Sequence, residues 1–232
     1  MHRLLIIDEY PVVRRGITRA LDEAGVAVEV GEAATAADAI ERLHSDRWSA
    51  VIMDMALADG GGSALLGRLC RERPDLPILI FTALPEVPYG LRALRAGACG
   101  FLHKSAPAEV LVDAVQRTLT GHRYVSPALA EALAGRGAAE SDEALYELLS
   151  DRELEVFRLI ALGKSMVEIG HILNISPKTA HAHRANILRK TGLPNNQALS
   201  AYAFEQKLIP GRRAGDRRRR RGGNPLSRTA DR

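Results

Sequence analysis

The chain has 232 residues, enough for one large domain or two modest ones, and its 46% hydrophobic content is ordinary for a folded globular protein. No uninterrupted apolar run approaches the length of a membrane helix, and the N-terminus lacks the basic, apolar and small-residue segments of a signal peptide, so we expect a cytoplasmic location. Residues 1–120 carry 13 basic and 16 acidic side chains, whereas residues 209–232 carry 9 and 2, which predicts different partners for the two ends of the chain.

Residues 1–120 alternate short apolar runs with longer amphipathic segments, a pattern typical of a parallel sheet flanked by helices. Five such pairs occur, with strands predicted at 3–8, 26–31, 50–54, 78–82 and 100–102. The helices that follow them are predicted at 12–24, 35–46, 62–72, 86–96 and 107–119. The pattern therefore predicts an α/β fold, a doubly wound (βα)5 domain.

The remainder of the chain divides into three segments. The pattern weakens over 121–148, where "AGRGAAESDEA" is rich in small and charged residues, and this composition predicts a linker. Only helical periodicity returns over 149–208, which predicts a small all-α domain of four helices. Residues 209–232 include "RRRRR" and predict a disordered basic tail, whose arginines either keep it in solution or also contact nucleic-acid phosphates.

Chemically useful side chains follow four of the predicted strands. Asp8 and Glu9 end the first strand, Asp54 ends the third, Thr82 ends the fourth and Lys104 follows the fifth. Ligands of open parallel sheets bind outside the carboxyl ends of the strands, so we expect these groups to converge in one crevice. Three carboxylates would repel one another unless a cation lay among them, and an all-oxygen site suits Mg2+. Lys104 is suited to pairing with a phosphoryl oxygen or a neighbouring carboxylate, and Thr82 offers one donor.

Four stretches, "LLIIDEYPVVRRG", "VIMDMALADGGG", "ILIFTA" and "GFLHKS", resemble the receiver domain of two-component response regulators. The resemblance implies that Asp54 is the nucleophile that takes a phosphoryl group from a sensor histidine kinase, forming an aspartyl phosphate. It also implies that Asp8, Glu9 and Asp54 hold Mg2+, directly or through water, together with the backbone carbonyl of Ala56.

The same resemblance assigns Lys104 and Thr82 to contacts with the phosphoryl oxygens. Phe101 matches the aromatic switch position, which turns inward when the threonine moves toward the phosphoryl group. The chain departs from the family at Glu9, where aspartate is commoner, and at Ala58, where a proline usually follows the phosphorylation site. The loss of that proline loosens the loop, which bears on the lifetime of the phosphoryl group.

The all-α segment shows its helix starts in the sequence. Ser-x-x-Glu capping boxes occur at 150–153 and 165–168, and Ser176 stands before Pro177 as a helix cap followed by proline at the first helical position. These signals predict helices that begin near 151, 166 and 177. Because "NIS" leaves room only for a tight turn between the second and third helices, the segment predicts a helix-turn-helix.

The third of these helices has two different sides. Ala180, His183 and Ile187 recur at helical spacing and are expected to face the core, together with Thr191. The other side carries small and basic residues, namely Lys178, His181, Ala182, Ala185 and Arg189, with Arg184 at its flank. Small residues allow close approach to a groove while basic residues approach phosphates. A solvated surface helix can carry similar charge, so the turn is what indicates DNA binding.

This segment resembles the LuxR-type output domain, and its junction with a receiver is typical of the NarL/FixJ class of response regulators. The resemblance implies groove-facing residues at Lys178, His181, Ala182 and Ala185. It implies residues near the DNA backbone at Thr179, Arg184, Arg189 and Lys190. A helix around 196–207 would pair two protomers into a homodimer on two-fold repeated double-stranded DNA.

Three functions compete on these observations. The first is a DNA-binding transcriptional regulator, not an enzyme, that is switched by phosphorylation at Asp54. The second is a DNA-binding regulator with a degenerate receiver that works without phosphorylation, motivated by Glu9 and Ala58. The third is an Mg2+-dependent phosphohydrolase, which is disfavoured because Ala56 stands two residues after Asp54, where such enzymes usually keep a second acid.

Overall fold

The protein, seen in a computed structural model, is described over residues 1–57, 61–135, 145–206 and 208–209. Its first part contains five strands: β1 (His2–Ile7), β2 (Val28–Ala33), β3 (Ala50–Met53), β4 (Ile78–Thr82) and β5 (Gly100–His103). All neighbouring strands are parallel and lie in the order β2-β1-β3-β4-β5. The predicted α/β fold is confirmed, since every strand was expected close to where it lies.

Five helices cover the two faces of this sheet: α1 (Pro11–Glu23), α2 (Ala36–Ser45), α3 (Gly62–Glu72), α4 (Glu86–Ala96) and α5 (Ala108–Leu119). Successive side chains of a strand point to opposite faces, so β1 supplies both layers of the core. Leu4 and Ile6 lie in one layer with residues of α1 and α5, whereas Leu5 and Ile7 lie in the other layer with residues of α2, α3 and α4. We call this part the sheet domain.

Strand β2 begins two residues later than the sequence indicates, at Val28 instead of 26. Gly25 has a φ of 68°, and the amide of Val26 donates a hydrogen bond to the carbonyl of Leu21. The turn that ends α1 therefore extends into the residues expected to start the strand. The shift places Ala33 beside Ile7 and lets the Asp8 amide donate to the Ala33 carbonyl at 3.1 Å. The sheet therefore holds the backbone of Asp8 in place.

A sixth helix, α6 (Pro127–Gly135), lies within the predicted linker, where the sequence analysis assigned no element. The hydroxyl oxygen of Ser126 accepts a hydrogen bond from the Leu129 amide at 3.1 Å, and Pro127 occupies the first helical position. The Leu129 side chain is fully buried against α4, where a Cβ atom built at Gly90 would lie 3.0 Å from it. Residues 136–144, which carry most of the "AGRGAAESDEA" stretch, lie outside the described residues.

The last part is helical and follows a short 3-10 turn (Leu145–Leu148). We call it the helical domain; it contains α7 (Asp151–Ala161), α8 (Met166–Ile172), α9 (Pro177–Thr191) and α10 (Asn196–Glu205). Both predicted capping boxes are present, and the Ser176 hydroxyl accepts a hydrogen bond from the Thr179 amide at 3.0 Å. The predicted basic tail lies, except for its first residue, outside the described residues.

The turn between α8 and α9 requires two unusual backbone positions. Asn174 has a φ of 51°, in the left-handed region that asparagine tolerates better than most residues. A Cβ atom at Gly170 would lie 2.8 Å from the carbonyl oxygen of Ile175, so the two helices approach closely only because that residue is glycine. The predicted helix-turn-helix is confirmed.

One apolar cluster continues from the sheet domain into the helical domain. It includes Tyr89 of α4, Leu129 of α6, Leu149 just before α7 and Phe157 of α7, all buried. No helix among the residues described is long and apolar enough to cross a membrane. The two domains thus share a core.

Candidate functional site

The acidic side chains predicted to meet at the sheet edge do so in part. Asp8 follows β1 and Asp54 follows β3, and the two strands are neighbours, with the Asp54 amide donating to the Ile7 carbonyl at 2.8 Å. Both carboxylates are buried, with 2% and 3% of each residue exposed. Two buried carboxylates side by side at one sheet edge repel each other unless a cation or strong hydrogen-bond donors compensate their charge.

Lys104 supplies that cation. Its Nζ lies 2.6 Å from Oδ2 of Asp8 and 2.5 Å from Oδ2 of Asp54, so one ammonium group bridges both acids. Burial by itself lowers the pKa of Lys104, but the hydrogen bonds and charges of Asp54 and Asp8 outweigh it and raise the pKa above its ordinary value. Lys104 therefore stays protonated and neutralises part of the acidic pair.

The other oxygen of Asp54 accepts two further hydrogen bonds. The Thr82 hydroxyl donates to Oδ1 at 2.6 Å, and the Ala56 amide donates to the same oxygen at 2.8 Å. Asp54, Thr82 and Lys104, which the sequence predicted from three different strand ends, are thus assembled around one carboxylate. A group attached to Asp54 would meet both a hydroxyl and an ammonium donor.

Glu9 takes a different position from the other two acids. Its carboxylate lies beside the hydroxyl of Tyr10, and hydrogen bonding to it raises the pKa of Tyr10. Tyr10 is half-exposed, its amide donates to Oδ1 of Asp8 at 2.9 Å, and Lys104 Nζ lies 5.8 Å from its ring centroid. Glu9 is therefore next to the site but turned toward its neighbour in the chain.

The side chains and the carbonyl predicted to bind Mg2+ offer the type of donor atom that this ion prefers. Asp8, Glu9, Asp54 and the carbonyl of Ala56 are hard oxygen donors, the type that Mg2+ prefers. Within the described ranges, no group of three or more His, Cys, Asp or Glu side chains is arranged to hold a metal ion. Because Lys104 bridges Asp8 and Asp54, a cation would have to share or displace these contacts. Ala58, whose identity bears on the loop after Asp54, lies outside the described residues.

Phe101 on β5 is completely buried, with 0% of the residue exposed. Its ring lies beside Gly90 of α4 and near Leu129 of α6, because atoms of both side chains come within 3.3 Å of a Cβ built at Gly90. The predicted switch aromatic thus points inward while Thr82 contacts Asp54. Phe101 therefore lies beside α4, three residues before Lys104 in the chain.

In the helical domain, most predicted DNA-contacting residues lie on the open side of α9. Those that are exposed are Lys178, Thr179, His181, Ala182, Ala185 and Arg189. Two others have partners within the protein: Arg184 Nε donates to Oδ1 of Asn196 at 2.7 Å, and Lys190 Nζ donates to the buried Glu153 at 2.6 Å. Of the predicted core residues, Ala180, Ile187 and Thr191 are buried and His183 is half-buried.

Arg92 of α4 joins the two domains, and the sequence analysis did not single it out. Nη1 donates to Asp151 at 2.9 Å, and Nη2 donates to the carbonyls of Tyr146 and Leu149, each at 2.7 Å. Nothing in the sequence distinguishes it from Arg95, the other basic residue of the same helix. A separate cleft of about 410 Å³ lies between Glu9 and Tyr10 of the sheet domain and helices α7 and α8.

Comparison with known proteins decides the family. Residues 4–116 match the family described as response regulator receiver domain, and residues 147–203 match bacterial regulatory proteins of the luxR family. The response regulator UvrY of Escherichia coli (strain K12) is 30% identical over 209 residues, which are 90% of this chain and 96% of UvrY. The chain belongs to the response regulator family.

Two further relatives of this response regulator cover nearly its whole length. The response regulator GacA of Pseudomonas aeruginosa is 29% identical over 210 residues, 90% of this chain and 98% of GacA. A solved structure of RcsB from Salmonella enterica serovar Typhimurium, bound to promoter P1flhDC with phosphomimetic BeF3-, is 27% identical with a TM-score of 0.62, covering 88% of this chain and 98% of RcsB. The resemblance to the NarL/FixJ class is confirmed, and with it the function of a DNA-binding response regulator of transcription.

Proposed function

We propose that Asp54 takes up the phosphoryl group, and that the donor is the phosphohistidine of a sensor histidine kinase. An oxygen of Asp54 attacks phosphorus, the phosphorus–nitrogen bond to the histidine breaks, and the imidazole leaves with the bonding electrons. The observation that supports this role is the buried Asp54 carboxylate with Lys104 and Thr82 as donors at 2.5 and 2.6 Å. Once the phosphoryl group is attached, Lys104 and Thr82 could donate hydrogen bonds to its negatively charged oxygens.

The proposed cofactor is Mg2+, which receiver domains typically bind at the phosphorylation site. Asp8, Glu9, Asp54 and the carbonyl of Ala56 would hold it, and when bound it offsets the negative charge that gathers at the site. Glu9 must then turn away from the Tyr10 hydroxyl. Lys104 could then leave the acids for the phosphoryl oxygens, because its positive charge would no longer be needed between them.

We propose that α9 enters the major groove of DNA. The exposed residues Lys178, His181, Ala182 and Ala185 would face the bases, and Thr179 and Arg189 would approach the phosphates. Arg184 and Lys190 remain candidates for backbone contacts, but each would have to share the partner it has within the protein. RcsB has been solved bound to promoter DNA, which supports this assignment.

We further propose the domain boundaries, the oligomeric state and the location of the protein. The receiver domain would comprise 1–120, the linker 121–148, the DNA-binding domain 149–208 and the basic tail 209–232. Active protein would be a homodimer paired through α10, where Phe204 is 55% exposed. Because the proposed partners are DNA and a kinase, we propose that the protein works in the cytoplasm. A hydrolase is not proposed, since Ala56 occupies the place of the second acid.

The test uses DNA fragments recovered from the genome with the purified protein. Their binding curves are measured for the unmodified protein, for protein treated with acetyl phosphate and Mg2+, and for Asp54→Ala treated in the same way. We expect treatment to raise the affinity of the wild type and to leave Asp54→Ala unchanged. Three identical curves would contradict phosphorylation control.

A second candidate retains DNA binding without phosphorylation. Three observations favour it: Thr82 already contacts Asp54, Phe101 is already buried, and the groove-facing residues of α9 are already exposed. Intact-protein mass spectrometry after incubation with acetyl phosphate and Mg2+ separates the candidates. A phosphoryl mass gain that disappears in Asp54→Ala supports the first, and no gain supports the second.

A further inference from the structure

Arg14 lies on the first turn of α1, next to the backbone of Asp8 and Glu9. Its Nη1 donates to the carbonyl oxygen of Asp8 at 2.7 Å and lies 3.5 Å from the carbonyl oxygen of Glu9. Its Nε donates to Oε2 of Glu32, at the end of β2, at 2.6 Å. With 12% of its side chain exposed, the guanidinium is held between α1, β2 and the residues after β1.

These carbonyls need a donor because the strand pairing ends before them. The register of β1 with both neighbours ends at Ile7, and beyond it the Asp8 amide still donates to Ala33. The Asp8 carbonyl points away from that pairing toward Arg14. A partly buried carbonyl without a partner is costly, so the guanidinium fixes the peptide orientation after Asp8.

We propose that Arg14 is a positioning residue for the cation site: it orients the Asp8–Glu9 backbone so that both carboxylates can reach one ion. This inference rests on the proposed Mg2+ site. Asp8 touches Lys104 and the Tyr10 amide, so turning its peptide would displace the carboxylate from the edge where Asp54 lies. Arg14 itself contacts carbonyl oxygens, and would act on the ion only through them.

The direction in which Mg2+ affinity changes when Arg14 is replaced distinguishes a positioning role from a purely electrostatic one. Arg14 carries a positive charge close to the proposed ion, so removing that charge should strengthen Mg2+ binding if electrostatics alone mattered. Loss of orientation predicts weaker binding instead. Arg15, the next residue on α1, is exposed and offers a control with the same charge change.

The experiment is an NMR-monitored Mg2+ titration of the full chain, following the backbone amide of Tyr10. We expect Arg14→Gln to weaken Mg2+ binding roughly tenfold, as removal of partners behind metal ligands typically does. Arg15→Gln should bind as the wild type does. In the absence of Mg2+, the Tyr10 amide should also exchange its hydrogen faster in Arg14→Gln, because the turn it belongs to has lost its anchor.

The outcomes are distinguishable. Binding to Arg14→Gln that is equal to or tighter than wild type overturns the positioning role. Absence of Mg2+ binding in the wild type overturns the proposed metal site itself. If Arg14→Gln does not fold, Arg14→Lys carries the test: it keeps the charge but cannot reach Glu32 and the Asp8 carbonyl together, so an unchanged Mg2+ affinity in that variant overturns the proposal.

Discussion

Lys104 holds together a group of charges that would otherwise oppose folding. It stands between Asp8 and Asp54, and both carboxylates are almost fully buried. Removing one partner of a buried charge group leaves the others uncompensated, which is far more costly than losing an exposed ion pair. The proposed role of Lys104 toward a phosphoryl group would therefore require it to give up contacts that stabilise the fold.

Lys104→Met should lower the free energy of unfolding by about 1–3 kcal/mol without Mg2+, a value reduced from that of a fully buried pair because the lysine is partly exposed. Added Mg2+ should recover part of this loss, since a cation again lies between the acids. Urea unfolding with and without Mg2+ measures both effects. Arg68→Met, which breaks the exposed pair with Glu72, is the control and should cost under about 0.5 kcal/mol. Equal losses in the two variants would show that Lys104 does not compensate the buried acids.

The capping box of α8 makes that helix sensitive to acid. The amide and hydroxyl of Ser165 and the ammonium of Lys164 all donate to Glu168, and together they lower the pKa of Glu168 from 4.5 to about 2. A carboxylate with a depressed pKa stabilises the fold above its unfolded pKa. That contribution is lost as pH falls from 4.5 toward 2.

Glu168→Gln should remove this pH dependence from α8, because glutamine does not titrate. The difference in thermal midpoint between wild type and Glu168→Gln should be largest above pH 4.5 and should shrink as pH approaches 2. Thermal melts followed by circular dichroism across this range give the comparison. Glu205→Gln, an exposed residue at the end of α10, is the control. A difference that stays constant over the whole range would contradict the assignment of the pKa.

Helix α6 depends on one apolar anchor. Leu129 is fully buried between Gly90 and Phe101, whereas Leu133, one turn later, is 43% exposed. Leu129→Ala should therefore destabilise the protein by about 2–4 kcal/mol through the cavity it leaves, and Leu133→Ala by much less. Chemical unfolding of both variants tests this, and equal costs would mean that α6 does not pack as described.

The sequence predicted the framework of the molecule because strands, caps and turns are local signals. The strand-end residues Asp8, Asp54, Thr82 and Lys104 lie where periodicity and spacing placed them. Glu9 could not be placed in this way, because its direction depends on the Tyr10 hydroxyl. Helix α6 was missed although Ser126-Pro127 repeats the Ser-Pro start seen at 176–177, since the helix is apolar almost throughout and shows no alternation of apolar and polar faces.

The contact between the two domains could not be predicted from the sequence, for a different reason. Arg92 binds two backbone carbonyls, and a carbonyl has no residue-specific signal. The hydroxyl of Tyr89, at the same boundary, is buried with no hydrogen-bond partner among the described residues, and its burial raises its pKa. Separation of the domains would let water reach that hydroxyl, which offsets part of the cost of opening. Arg92 thus stabilises the closed arrangement of the domains, whereas the buried, unpaired hydroxyl of Tyr89 destabilises it.

Arg92→Gln should shift the protein toward separated domains. Each hydrogen bond from a charged donor contributes on the order of 1.5–3 kcal/mol, so the loss of even one of the three should change the opening equilibrium by about tenfold or more. Small-angle X-ray scattering should show a larger radius of gyration than for the wild type. Arg117→Gln, which loses only an exposed pair with Asp113, should scatter as the wild type does. Because the groove-facing side of α9 is already exposed with Arg92 in place, the affinity of one protomer for DNA should change little. An unchanged radius of gyration would mean that the shared apolar core, and not Arg92, keeps the domains together.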